Sequence, residues 1–113
     1  QTRITVHGSV ADFVRSTARV DIVVQASPVG MKPGESSPLP PSAFRKGLLG
    51  FDLVYNIPET PFMRAAHEGG ARAVNGLGML LHQGAAAFKI WTGREPATPA
   101  MRQALEQALY GAA

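Results

Sequence analysis

Apolar positions fall into two kinds of pattern along this chain. Short β-branched runs alternate with stretches of helical period. Val20-Asp21-Ile22-Val23-Val24-Gln25-Ala26 has the make-up of a strand buried on both faces, and Leu48 to Tyr55 reads as a second buried strand. Ala71 to Asn75 is a third, short strand, and Ile4-Thr5-Val6 is a candidate for another. A short helix is expected over Ala11 to Ala18, with Ser9 or Asp12 near its start. Residues 27–41 are rich in proline and include Gly30 and Gly34, so they read as a loop, and Ser42 to Lys46 reads as one helical turn stopped at Gly47. Thr60 has the position of a helix cap with Pro61 at the first helical residue, and Gly69-Gly70 ends that helix in left-handed geometry. A long helix follows from Leu77 to Thr92, stopped by Gly93. Thr98-Pro99 repeats the start signal for a last helix, whose apolar face is Met101, Ala104, Leu105, Ala108 and Leu109.

Strands alternating with helices predict an α/β fold with a parallel sheet, and ligands in such sheets sit beyond the carboxyl ends of the strands. Residues 25–31, 55–61 and the Asn75-Gly76 turn belong to that end. With 113 residues and 45% hydrophobic content the chain can bury a core of its own. It has no cysteine, which excludes disulfides and thiolate metal sites and suits a cytoplasmic location. The net charge is +3, and the Lys and Arg residues are scattered without interleaved aromatics, so a nucleic-acid partner is disfavoured. No apolar run reaches the roughly 18 residues of a membrane span.

Local motifs narrow the chemistry without naming it. Gly76-Leu77-Gly78 opens a helix, but the third glycine of a dinucleotide fingerprint is replaced by Leu81, and a tight strand-to-helix turn is the simpler reading. Its glycines would still let a flat ring approach the backbone. Gln83 is placed on the inner side of its helix, with Ala86, Ala87 and Ile90, where an amide needs partners or costs about 1–3 kcal/mol, although a mid-helix glutamine taken by itself is more often a backbone or surface hydrogen bonder. Tyr55 ends an apolar strand and can aim its hydroxyl at a carboxylate or water, or simply rim the core. His7, His67 and His82 lack metal-ligand spacing, and Ser27 lacks a nucleophile elbow, so no metal site and no hydrolase are expected.

Four segments, in order, resemble the shikimate dehydrogenase family. Asp21 to Met31, with its Gln25-Ala26-Ser27-Pro28-Val29-Gly30-Met31 ending, is similar to a strand that closes on Asn-Ala-Thr-Pro-x-Gly-Met. Asp52-Leu53-Val54-Tyr55-Asn56 with Glu59-Thr60-Pro61 resembles Asp-x-Val-Tyr-Asn-Pro-x-x-Thr-Pro. Asn75 to Ala85 resembles Asn-Gly-x-x-Met-Leu-x-x-Gln-Gly/Ala-Ala, and Trp91-Thr92-Gly93 with Pro96 resembles Trp-Thr-Gly-x-x-Pro.

The resemblance implies a partial Rossmann-like parallel sheet with flanking helices and a C-terminal helix pair. Residues 1–93 would be the second half of an NADP-binding domain, and 94–113 would return toward a substrate domain. The implied reaction is reversible, NADPH-dependent reduction of 3-dehydroshikimate to shikimate, in aromatic amino-acid biosynthesis. Gln83 and Tyr55 would contact shikimate, Leu53 and Gly76 would line the nicotinamide pocket, Met79 would pack near that ring, and Ala26 and Ser27 would edge the cofactor. Gln25 stands where the family usually has Asn, and Pro58 comes one place later than the usual proline.

The family's catalytic Lys and Asp, its shikimate-binding serines, its glycine-rich phosphate loop and its 2′-phosphate-reading segment have no counterpart in these residues. The expectation is a C-terminal part of the enzyme, inactive alone, with the N-terminal half as partner and a homodimer left open. In the family's sheet order the strand at Val20 to Ala26 would then present a bare hydrophobic edge. The alternatives are a non-catalytic nucleotide-binding or interaction fragment, and the NAD-preferring quinate/shikimate relatives.

Overall fold

The computed structural model describes residues 2–111. The outermost positions of the two expected segments, 1 and 112–113, lie outside them. Three parallel strands, β1 (Ile22–Gln25), β2 (Leu49–Asp52) and β3 (Arg72–Val74), form one sheet in the order β1-β2-β3. Four α-helices accompany it: α1 (Val10–Ser16), α2 (Pro61–Glu68), α3 (Leu77–Thr92) and α4 (Thr98–Tyr110). The α/β class and the parallel sheet are as the patterning predicts. The register pairs Gln25 with Asp52 and Phe51 with Val74, so all three strands end on one side of the molecule.

The core lies on one face of the sheet. There α2 buries Phe62, Met63, Ala65 and Ala66. Phe62 meets Phe44 edge to face, with ring centroids 5.3 Å apart, and Val23, Leu39, Ala43, Leu48 and Ala71 complete the cluster. Gly50 of β2 lies under this contact, and a Cβ there would stand 3.1 Å from Phe62. The absent side chain lets the helix settle on the strand. Thr60 caps α2 as expected, its fully buried hydroxyl accepting from the Met63 N–H at 3.1 Å.

Several expectations need correction. Ile4 to Val6 forms no strand and is exposed, because no neighbouring strand offers it a ladder. β1 is buried on one face only: Val23 and Gln25 face the core, whereas Ile22 and Val24 are 58% and 55% exposed. Among the described residues nothing covers that second face, and β1 is an outer strand, as the family's sheet order implied. β2 stops at Asp52, not Tyr55, because the Asp52 carboxylate takes the Val54 N–H at 3.0 Å and draws the backbone out of the ladder. The turn placed at Ser42 to Lys46 is a 3₁₀ turn at Pro41–Ala43, where proline pre-sets the first dihedral. Only Gly70 of the Gly69-Gly70 pair is left-handed, at φ +92°. Thr98 donates no cap; it is the first residue of α4, after Ala97.

Gly69 is required for space. A Cβ there would stand 2.7 Å from the Phe44 Cβ and collide with the Pro41 carbonyl oxygen. Gly69→Ala is therefore expected to destabilise the protein by about 1–3 kcal/mol. Gly78→Ala, which meets nothing within 4 Å inside α3, should be neutral or stabilising by up to about 1 kcal/mol. Urea unfolding of the two variants checks this, and equal midpoints would refute the packing argument.

Candidate functional site

The carboxyl ends of β1 and β2 are joined by buried polar side chains. Gln25 Nε2 donates to Asp52 Oδ1 at 3.2 Å and to the Val29 carbonyl at 2.9 Å. Gln25 Oε1 accepts from the Ser27 N–H at 2.6 Å and from the Ser27 hydroxyl. One amide thus folds residues 26–29 back over the strand end. An asparagine would lack the extra methylene that spans from the sheet to Val29. Asp52 has no exposed surface, and its Oδ1 serves both Gln25 and the Val54 N–H. Asn56 Nδ2 donates to the Met31 carbonyl at 3.0 Å and ties the second loop to the first. Between the two loops lies a cavity of about 360 Å³, lined by Ala26, Ser27, Met31, Leu53, Tyr55 and Asn56 among others.

The end of β3 joins this arrangement through Asn75. Its Oδ1 accepts from the Leu77 N–H at 3.1 Å at the start of α3. Its Nδ2 donates to the Ile57 carbonyl at 3.0 Å and to the Tyr110 hydroxyl at 2.8 Å, with the Pro58 carbonyl at 3.4 Å. The Tyr110 hydroxyl in turn donates to the Tyr55 carbonyl at 2.9 Å. Gly76 is buried and donates its N–H to the Val54 carbonyl at 3.0 Å. A Cβ on Gly76 would lie 2.8 Å from the Leu53 carbonyl carbon. What the glycine admits is therefore the main chain of Leu53, and the open glycine of the pair is Gly78.

Four of the seven expected site residues, Ala26, Ser27, Leu53 and Tyr55, line one cavity, and Gly76 packs on its Leu53 wall. Met79 does not join them. It lines a separate cavity of about 640 Å³ beside β3, with Phe51, Val74, Leu77, His82 and Arg102. Gln83 is not on the inner side of α3. The helix buries Leu77, Leu81 and Ala85, and Gln83 is exposed in a groove of about 400 Å³ between α3 and α4, beside Leu80, Met101 and Leu105. Of the companions expected with it, Ala86 and Ile90 are exposed, Ile90 at 80%, and Ala87 is half-buried.

Sequence reasoning gave no role to Asp52, to the Asn75 side chain or to Tyr110. Asparagine before the glycine at a helix start is a capping signal that could have flagged Asn75. Tyr110 has no local signal, since its partners lie 35 and 55 positions away. No three His, Asp or Glu side chains gather into a metal-binding group among the described residues.

The strand-end network carries a prediction. Gln25→Ala and Asp52→Ala should each cost about 1–3 kcal/mol, because each strands buried polar partners. The double variant should lose about 1 kcal/mol less than the sum. Strict additivity in a urea double-mutant cycle would mean that the two side chains do not act together.

Known proteins place this geometry in context. Residues 76–106 match the family model described as the shikimate 5′-dehydrogenase C-terminal domain. The chain is 49% identical over 92 residues to the NADP(+) shikimate dehydrogenase of Archaeoglobus fulgidus, covering 80% of this chain and 34% of that protein. It is 48% identical over 90 residues to the Moorella thermoacetica enzyme, covering 79% and 30%. It superposes with a TM-score of 0.75 at 37% identity on shikimate 5-dehydrogenase from Thermus thermophilus in complex with NADP(H) and shikimate, covering 85% of this chain and 37% of that one. Quinate dehydrogenase from Corynebacterium glutamicum in complex with NAD gives a TM-score of 0.77 at 31% identity, covering 85% and 34%. The chain spans about a third of the length of the curated relatives it matches.

Proposed function

We propose that this chain, which belongs over its matched length to the shikimate dehydrogenase family, forms the nicotinamide side of an NADP-dependent shikimate dehydrogenase site. The observation that carries the reading is the shared cavity of Ala26, Ser27, Leu53 and Tyr55 at the carboxyl ends of two parallel strands. That is where such sheets bind ligands. The lining suits a flat ring. Ala26 and Ser27 are small, Leu53 and Met31 are apolar, and no charged side chain lines the space. The residues fit the nicotinamide end of a dinucleotide and offer no cradle for its phosphates, which are left to segments outside this chain.

In this reading NADPH, when bound, supplies the hydride that reduces the ketone of 3-dehydroshikimate. Ala26, Ser27 and Leu53 would hold the nicotinamide end of the dinucleotide at the strand ends. Tyr55 reaches the substrate from the cavity rim, and Gln83 offers both amide functions to substrate hydroxyls from the open groove of α3 and α4. The proton transfer is assigned to the family's Lys and Asp, which have no counterpart in these residues. The 113-residue chain is therefore inactive by itself. Likeness to the NAD-bound quinate dehydrogenase supports a second reading, in which the same cavity serves NAD and a quinate-like polyol.

The test is a steady-state assay of the complete polypeptide that carries this chain, with shikimate and quinate, each with NADP and NAD. Shikimate oxidation with NADP is expected to dominate. Gln83→Ala should raise KM for shikimate about 5- to 100-fold, as expected for a lost hydrogen bond to substrate. Absence of turnover with all four pairs would refute both readings, and an unchanged KM in Gln83→Ala would remove Gln83 from the site.

A further inference from the structure

We infer that Tyr110 is a positioning residue for the substrate side of this site, an assignment that rests on the function proposed above. Its hydroxyl lies at a three-way junction. It accepts from Asn75 Nδ2 at 2.8 Å and donates to the Tyr55 carbonyl at 2.9 Å. A phenol has one proton to give, so both directions of the bridge are set by the two partners. Asn75 turns its Oδ1 to the Leu77 N–H at 3.1 Å, so the amide presents its Nδ2 to Tyr110.

The junction joins three parts of the molecule that have no shared strand or helix. Tyr55 lies in the loop between β2 and α2, and Asn75 joins β3 to α3. Tyr110 is the last residue of α4, a helix that otherwise packs on α3. Asn75 also holds the Ile57 carbonyl at 3.0 Å, so the loop 55–58 is strapped at both ends of its turn. This is the loop in which Pro58 comes one place later than the family pattern, and side-chain straps replace the regular ladder there. Fixing the Tyr55 carbonyl fixes the base from which its side chain enters the cavity. Fixing Asn75 fixes the first turn of α3, from which Gly76 packs on Leu53. The position of α4 is thereby transmitted to both walls of the site, while Tyr110 itself need touch no ligand.

Tyr110→Phe in the complete polypeptide isolates the hydroxyl, since the ring that fills the space is kept. The expected result is a rise in KM for shikimate of about 3- to 10-fold with kcat changed less than about twofold. Amide hydrogen exchange is expected to quicken at least about fivefold across residues 55–57 and 75–77. A lowered melting temperature with unchanged KM and kcat would make the hydroxyl a purely structural contact and overturn the inference. Unchanged exchange in both segments would overturn it as well, by showing that the strap does not hold them. Wild-type enzyme that fails to oxidise shikimate would refute the proposed function and the substrate side of this inference together, whereas the exchange measurement decides the strap independently of turnover.

Discussion

Helix α2 lies directly on β2 because Gly50 leaves no side chain between them. Phe62 and Ala66 descend to within van der Waals reach of the strand, and Phe44 closes on Phe62 from the side. Phe62 is 1% exposed, and burying a phenylalanine of this kind contributes about 1.5–3 kcal/mol. The βαβ crossover from β2 to β3 runs through α2, which aligns the two strands in parallel and brings their carboxyl ends to one side. Everything at the site inherits its position from that alignment.

At those ends the fold changes character. Apolar packing gives way to fully engaged amides: Gln25 holds the loop after β1, and Asn75 holds the loops after β2 and β3. Gln25 is buried and Asn75 half-buried, and polar groups so placed are costly when unpaired and rigid when paired. Their satisfaction explains how loops without regular structure can hold a cavity open. The Asp52 carboxylate acts through one oxygen, Oδ1, which ends β2, links it to β1 and starts the departing loop, while its buried Oδ2 has no partner among the described residues.

Part of the frame around the cavity was legible along the chain because it rests on local chemistry. Thr60-Pro61 announces a helix start through a hydroxyl acceptor and a preset dihedral. Gly93 announces a helix end through its left-handed geometry, at φ +70°. The resemblance of Ala26, Ser27, Leu53 and Tyr55 to one family site carried over to one cavity, because parallel strands of matched register bring equivalent ends together. The side of α3 that Gln83 occupies was misjudged for a physical reason. A helix with apolar residues nearly all round has no single face that periodicity can assign to the core, and Leu77, Leu81 and Ala85 occupy it here.

Apart from the strand expected at Ile4 to Val6, the order and class of the helices and strands were settled by the one-dimensional pattern, since propensity, capping and alternation act over a few residues, whereas the end of β2 and the start of α4 were not. Which face of β1 is covered, which glycine makes room for a backbone and which holds open space, and how Tyr110 reaches Asn75 and Tyr55 were settled in three dimensions. Those are relations between segments tens of residues apart. They arise only when burial of α2 against the sheet has brought the segments together, and no local preference encodes them.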